Sequence, residues 1–321
     1  MLFTMSRQPA PASHLSVPVP RVPAWATPRA RIEDPVEAAF MAGSALNALD
    51  NLVQAEPEWS GAWRHRLALK AASASMTLIG RTEDEAALRD AWLLRQPGDA
   101  PGPAGNVLAA WRRLAGRSLP PGVEELQAVV ALLGVGWHDG LGDLIDVTRD
   151  EVRSGAPAPA IAARAAAAVM RADPKAVIFS WWLADCALSW RMGWHHAVPI
   201  LTPQIYAPLL RSGFEGRRAR PGSDAFARAV FIAAALGAAE ACRLAASMAA
   251  QAELLRAAVP KLRSRAAGDV VERLLGEDAV SGTLTTKNLS RWASRRLFDR
   301  LIKLGAVREL SGRSTFRIYG L

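Results

Sequence analysis

Apolar residues recur at helical spacing along most of this chain, and Gly or Pro breaks the pattern at short intervals. The first regular stretch opens at Asp34. An acid able to cap precedes Pro35, which suits a first helical turn, and Glu37 stands at capping-box spacing. Val36, Phe40, Gly43, Leu46, Leu49 and Val53 then share one face and predict a helix that buries it. Like patterns predict helices from Ser60 to Ile79, stopped by Gly80, and from Thr82 to Leu94, ended by a Gly- and Pro-rich run. These three are read as an opening bundle. Further helices are predicted near 106–114, 123–133, 141–153, 159–171 and 175–192, with separations short enough for antiparallel packing. A Pro-rich loop over 193–222 follows, then a long Ala-rich helix capped by Ser223 and interrupted by Pro260.

The last stretch changes character. A helix over 269–275 is followed by a short second helix somewhere in 280–289. A third begins at Ser290 or Ser294, which leaves Trp292 either in its first turn or in the turn before it. In that third helix Leu297, Phe298, Leu301, Ile302 and Leu304 share one arc, whereas Arg295, Arg296, Arg300 and Lys303 fall largely outside it. Gly305 ends it. AVREL, a tight SGR turn and STFRIYG then predict a hairpin with Val307, Phe316 and Ile318 inward, and Arg308, Arg313 and Arg317 outward or at the tip. Helices followed by a two-stranded hairpin are in winged-helix order. The predicted fold class is therefore mainly α: a multi-helix, bundle-like body with a C-terminal winged-helix module. The predicted domains are a flexible, basic, Pro-rich tail over 1–31, a helical domain over 32–265 and the winged-helix-like domain over 266–321.

Charge sharpens this division. The chain carries a formal net charge of +9, and from Lys261 to Leu321 there are 13 Lys and Arg against 6 Asp and Glu. Residues 1–31 hold four Arg and no acid, so the body between the two ends is close to neutral. A cationic end on a neutral body is the distribution a nucleic-acid-binding module produces. One helix fits the major groove, where Arg reads guanine edges, and a basic wing reaches neighbouring phosphates. On that basis Arg295, Arg296 and Arg300 are assigned to the groove or its walls, and Lys303, Arg313 and Arg317 to phosphates. Arg217, Arg218 and Arg220, in a Gly- and Pro-flanked loop, are an accessory basic contact.

Other chemistry is sparse. His138, Asp139, Asp143 and Asp146, with His195 and His196, are the nearest approach to a metal constellation, but no His pair has a zinc-helix spacing, and no metal or cofactor is predicted. Phosphate-loop, dinucleotide and nucleophile-elbow signatures are absent from the sequence. Trp181, Trp182, Trp190 and Trp194 read as core anchors. Cys186 and Cys242 read as buried free thiols, which points to the cytoplasm. The apolar run from Ala229 to Ala239 is shorter than a membrane span and reads as a core helix, so no membrane partner is expected.

Three stretches, DPVEAAFMAGSALNALD, RTEDEAALRDAWLL with PGDAPGPAG after it, and SRRLFDRLIKLGAVRELSGR with FRIYGL, carry a resemblance. Through them the chain resembles, nearly end to end, the bacterial family catalogued as domain of unknown function 1403. That resemblance implies a bacterial, plasmid-borne or accessory protein and brings no catalytic residues with it. The leading expectation is a non-enzymatic protein that binds duplex DNA through its terminal module, in regulation or plasmid maintenance, with the body supplying contacts to a partner or a second copy. The runner-up is an interaction subunit whose winged helix docks a protein. The third is a metal-dependent hydrolase or nuclease built on Asp139, Asp143 and the histidines.

Overall fold

The Asp34 carboxylate accepts the Val36 N–H at 2.8 Å and Pro35 occupies the first turn, so α1 runs Pro35–Ala55 from the predicted start. In the computed structural model, which describes residues 18–95, 99–212, 217–223, 225–262, 266–313 and 315–321, the chain is mainly helical. Then come α2 (Ser60–Leu78), α3 (Glu85–Leu93), α4 (Gly102–Gly116), α5 (Val123–Leu132), a single turn α6 (Asp139–Gly142), α7 (Leu144–Arg153), α8 (Ala158–Ala172) and α9 (Val177–Arg191). Short 3-10 turns and the two-residue strands β1 (Arg211–Ser212) and β2 (Arg217–Arg218) carry the chain to α10, Phe226–Ala258.

The rotation of α1 differs from the prediction. Val36 is 73% exposed and Phe40 64%, while Ala38, Ala42, Ala45, Leu46, Leu49 and Leu52 are buried. Small Ala side chains let two helix backbones approach closely, so the Ala-lined side, not the bulkiest one, meets α10. Phe40 instead stacks on Trp25 at the surface, with ring centroids 5.7 Å apart. The opening bundle is also absent: α1 lies along α10, while α2 packs against α4 and α3.

Buried side chains form two cores that share α2, α8 and α9 as a partition. One side of α9 offers Trp181, Ala184 and Leu188 to the core built with α1 and α10. The other offers Phe179, Trp182 and Cys186 to the core built with α4, α5 and α7. Four buried indoles find acceptors: Trp63 the Ala241 carbonyl, Trp182 the Ala110 carbonyl, Trp111 the Ser75 hydroxyl and Trp194 the Asp50 carboxylate. α10 is long and apolar enough to cross a membrane by length and composition, yet two-thirds of its most apolar window is buried inside the fold. At Gly237 a Cβ would collide with the Ile200 carbonyl, so only glycine admits this approach.

The terminal unit contains α11 (Ala267–Gly276), β3 (Val280–Ser281), α12 (Arg291–Lys303), β4 (Arg308–Glu309) and β5 (Ile318–Gly320). Its sheet has the order β3-β5-β4, both pairs antiparallel, with Val280 opposite Tyr319 and Arg308 opposite Gly320. The second helix predicted within 280–289 does not form. Hydroxyls compete for the backbone there: Ser281 Oγ accepts the Thr283 N–H, Thr286 Oγ1 accepts the Asn288 N–H, and Thr286 pairs with Leu289. The paired strands are also shorter than predicted. They close through the Leu310 N–H to Ile318 carbonyl bond, so the sheet pairing stops directly before the SGR turn and resumes only at Ile318.

Leu297, Phe298 and Leu301 of α12 are buried with Val307, Tyr319 and Leu321, in the same continuous core as α1 and α10. Phe298 and Tyr319 stack with centroids 4.5 Å apart and planes 8° from parallel. Since Leu301 is fully buried, Leu301→Ala is expected to lower stability by roughly 2 to 5 kcal/mol, as read by chemical denaturation; a loss under about 0.5 kcal/mol, the range of a surface substitution, would mean that α12 does not seat as described.

Candidate nucleic-acid interface

Ser290 decides how α12 is presented. Its hydroxyl accepts the Ala293 N–H, which makes it the N-cap and puts Trp292 inside the first turn. With that phase, Leu301 and its neighbours face the core, and Trp292, Asp299 and Lys303 lie near the middle of the opposite side. Arg295 and Arg296 flank them, and Arg291 and Arg300 lie toward the edges. All seven of these solvent-side residues are exposed, Trp292 to 73%. The Arg295 guanidinium lies 5.5 Å from the Trp292 ring centroid.

Among the described residues, Arg291, Arg295, Arg296, Arg300 and Lys303 have no acidic partner within ion-pair distance. Several arginines elsewhere are matched: Arg113 grips Glu125 with two hydrogen bonds, and Arg164, Arg228 and Arg256 meet Glu151, Glu33 and Glu58. The α12 face is thus a concentration of uncompensated positive charge, interrupted by Asp299 alone.

Two predicted phosphate contacts are already engaged. Arg313 is ion-paired with Asp90 of α3, which ties the hairpin to the body. Arg317 sits 3.8 Å from Glu309, and its hydrogen bond with the Tyr319 hydroxyl raises its pKa. Of the accessory loop, the Arg217 side chain lies outside what is described. Arg218 covers the Tyr206 ring at 4.1 Å, and with Arg220 it lines a cleft of about 940 Å³ beside Leu78, Met170 and Trp181, to which α12 contributes nothing.

A second charged cluster had no signature in the sequence. Asp278, just after α11, is buried and accepts hydrogen bonds from Arg66 of α2 and Arg89 of α3, the latter at 2.7 Å. Burial would raise its pKa, but the two guanidinium charges outweigh that and hold it below the usual range. Next to it, Glu277 pairs with Arg112 of α4 and lies 3.3 Å from His65 Nδ1. There too burial pushes upward, and His65 and Arg112 prevail, lowering the carboxyl to about 2. A Cβ at Gly61 would sit 2.8 Å from the Gly276 carbonyl oxygen, so α2 and the end of α11 are nearly in backbone contact. These pairs fasten the terminal unit to the body.

The remaining candidates are dispersed. Among the described residues no three His, Cys, Asp or Glu side chains converge in a way that could hold a metal ion. Asp139 opens the α6 turn, Asp146 pairs with Arg149, and the His195 and His196 rings meet edge to face after α9. Cys186 and Cys242 are buried and unpaired, and burial raises both thiols, Cys242 to about 11. Asp185 is fully buried, which raises its pKa to about 6 against hydrogen bonds from the Leu201 and Ile200 N–H groups and both Thr202 donors. It fastens the loop after α9.

Taken from its geometry, this is a mainly helical protein whose terminal helix-and-sheet unit turns a cationic helix to solvent. The chain belongs to the family described as protein of unknown function (DUF1403), whose model matches residues 12–321. No match was found among curated proteins or among solved structures.

Proposed function

We propose that residues 266–321 act as a winged-helix-type unit that binds duplex DNA, with α12 as the helix entering the major groove. The observation that carries this reading is the set of five exposed cations around Asp299 on the solvent side of α12, none of them ion-paired among the described residues. Like charges crowded on one face repel one another, and an external polyanion is the natural complement. The order α11–β3–α12–β4–β5 and the strand order β3-β5-β4 support it, as does a helix of 13 residues anchored by its apolar side. One departure matters. The stretch where such units place their second helix is here a hydroxyl-rich turn, so α12 is oriented by Asp269–Thr286 and Ser294–Gly282 hydrogen bonds instead. The role is non-catalytic and, in a bacterial cytoplasm, fits regulation or plasmid maintenance.

The test is binding of the full chain to a mixed-sequence duplex across a salt series. The full chain is required because side chains on both sides of residue 266 share one core. If the five cations each neutralise a phosphate, log K should fall against log salt with a slope of about −4 to −5. No binding at low salt would overturn the reading and favour a terminal unit that docks a protein.

A further inference from the structure

Phe316 stands out once the cationic face is in view. The alternation around the buried Ile318 predicts it inward, yet it is 66% exposed and its φ is +56°. Left-handed backbone is disfavoured for a bulky aromatic, and an exposed ring gains little from burial in return. Its flanks are fixed. The Arg317 carbonyl accepts the Gly282 N–H at 2.8 Å, the Ser311 hydroxyl accepts the Ile318 N–H at 3.2 Å, and the Arg317 side chain is held by Tyr319 and Glu309. Gly282, whose N–H reaches the Arg317 carbonyl, also accepts the hydroxyl of Ser294 on α12 at 3.1 Å, so the backbone that carries Phe316 runs beside that helix. The ring is thus presented, not stored: a flat apolar group held out beside the helix.

We propose that Phe316 is a wedge that enters the minor groove of the duplex beside the α12 contact and partly unstacks a base step, bending the DNA. This rests on the DNA-binding reading above. The chemistry selects the target. A benzyl ring makes no hydrogen bond with phosphate, and the apolar surface available within a polyanion is the face of its stacked bases. Local strain that persists at an exposed position is a mark of function when the surrounding bonds enforce it. Trp292, exposed in the first turn of α12, is a second aromatic on the side of that helix assigned to DNA.

The experiment compares wild type, Phe316→Asn and Phe316→Trp, using a short mixed-sequence duplex end-labelled for energy transfer. Asn tolerates left-handed backbone, so the hairpin should keep its shape and the variant should melt with the wild type. Wild type is expected to bend the duplex. Phe316→Asn should bind about 5- to 100-fold more weakly, the range of one lost aromatic stack, with the salt slope unchanged and the bend gone. Phe316→Trp should retain both. Wild-type binding without a bend, or a bend undiminished in Phe316→Asn, overturns the wedge and leaves the DNA reading intact. No duplex binding by wild type overturns both.

Discussion

Changing Arg295, Arg296 and Arg300 together to Ala should weaken duplex binding by at least about a hundredfold and flatten the salt slope by about 3, with thermal stability unchanged. All three side chains are exposed on α12 and have no acidic partner among the described residues, so their removal empties no core and orphans no buried charge. Loss of a phosphate contact weakens binding on every sequence, whereas loss of a bidentate contact to guanine costs about 1 to 3 kcal/mol and relaxes preference at one base pair. Three arginines on one helix are therefore expected to affect both affinity and selectivity. A folded triple variant with wild-type affinity would show that α12 does not meet the DNA.

The second large effect belongs to the seam. Asp278→Ala should destabilise the chain by about 3 to 5 kcal/mol, because it leaves Arg66 and Arg89 charged and largely buried without their shared carboxylate. Chemical denaturation measures this directly. A loss below about 1 kcal/mol, the range of exposed pairs, would mean that water reaches the seam and screens it. The same cluster sets an acid limit. Asp278 and Glu277 both titrate below their ordinary values in the folded chain, Glu277 near 2. A carboxyl depressed by folding contributes stability that is full above its unfolded pKa and is lost as pH falls through the folded value. Acid unfolding should therefore set in below about pH 4.5 and progress toward pH 2, and Asp278→Ala should shift it to higher pH.

The seam also bears on the DNA-binding reading. Arg313, assigned to phosphate from its place in the hairpin, is paired with Asp90 on α3, which also contributes Arg89 to the Asp278 cluster. The hairpin that presents Phe316 is therefore connected to the body on the side where Asp278 is clamped. Loosening the seam should affect how the hairpin is held, so affinity measurements on seam variants need the bend as a separate readout.

Helix positions were legible in the sequence because their causes are local. Apolar spacing, Asp34 and Ser290 as caps, Gly80 and Gly305 as stops, and Pro260 as a breaker act within a few residues, and the observed helices begin and end close to them. The division of α12 into an apolar and a cationic side followed from the same periodicity. Other features depended on partners far along the chain. Arg89 meets Asp278 across 189 residues and Arg66 meets it across 212, and no local pattern marks either pair. The face of α1 that is buried was set by close packing of alanines against α10, not by the size of its apolar residues. The Ser281 and Thr286 hydroxyls replaced the expected second helix with a turn, and bonds on both sides of Phe316 turned it outward against the strand alternation. The sequence alone determined most of the helical segments and that the last helix is cationic and amphipathic, since these follow from the order of neighbouring residues. Only the tertiary structure decided which cations are paired and which stay free, because charge pairing depends on what the fold brings within a few ångströms.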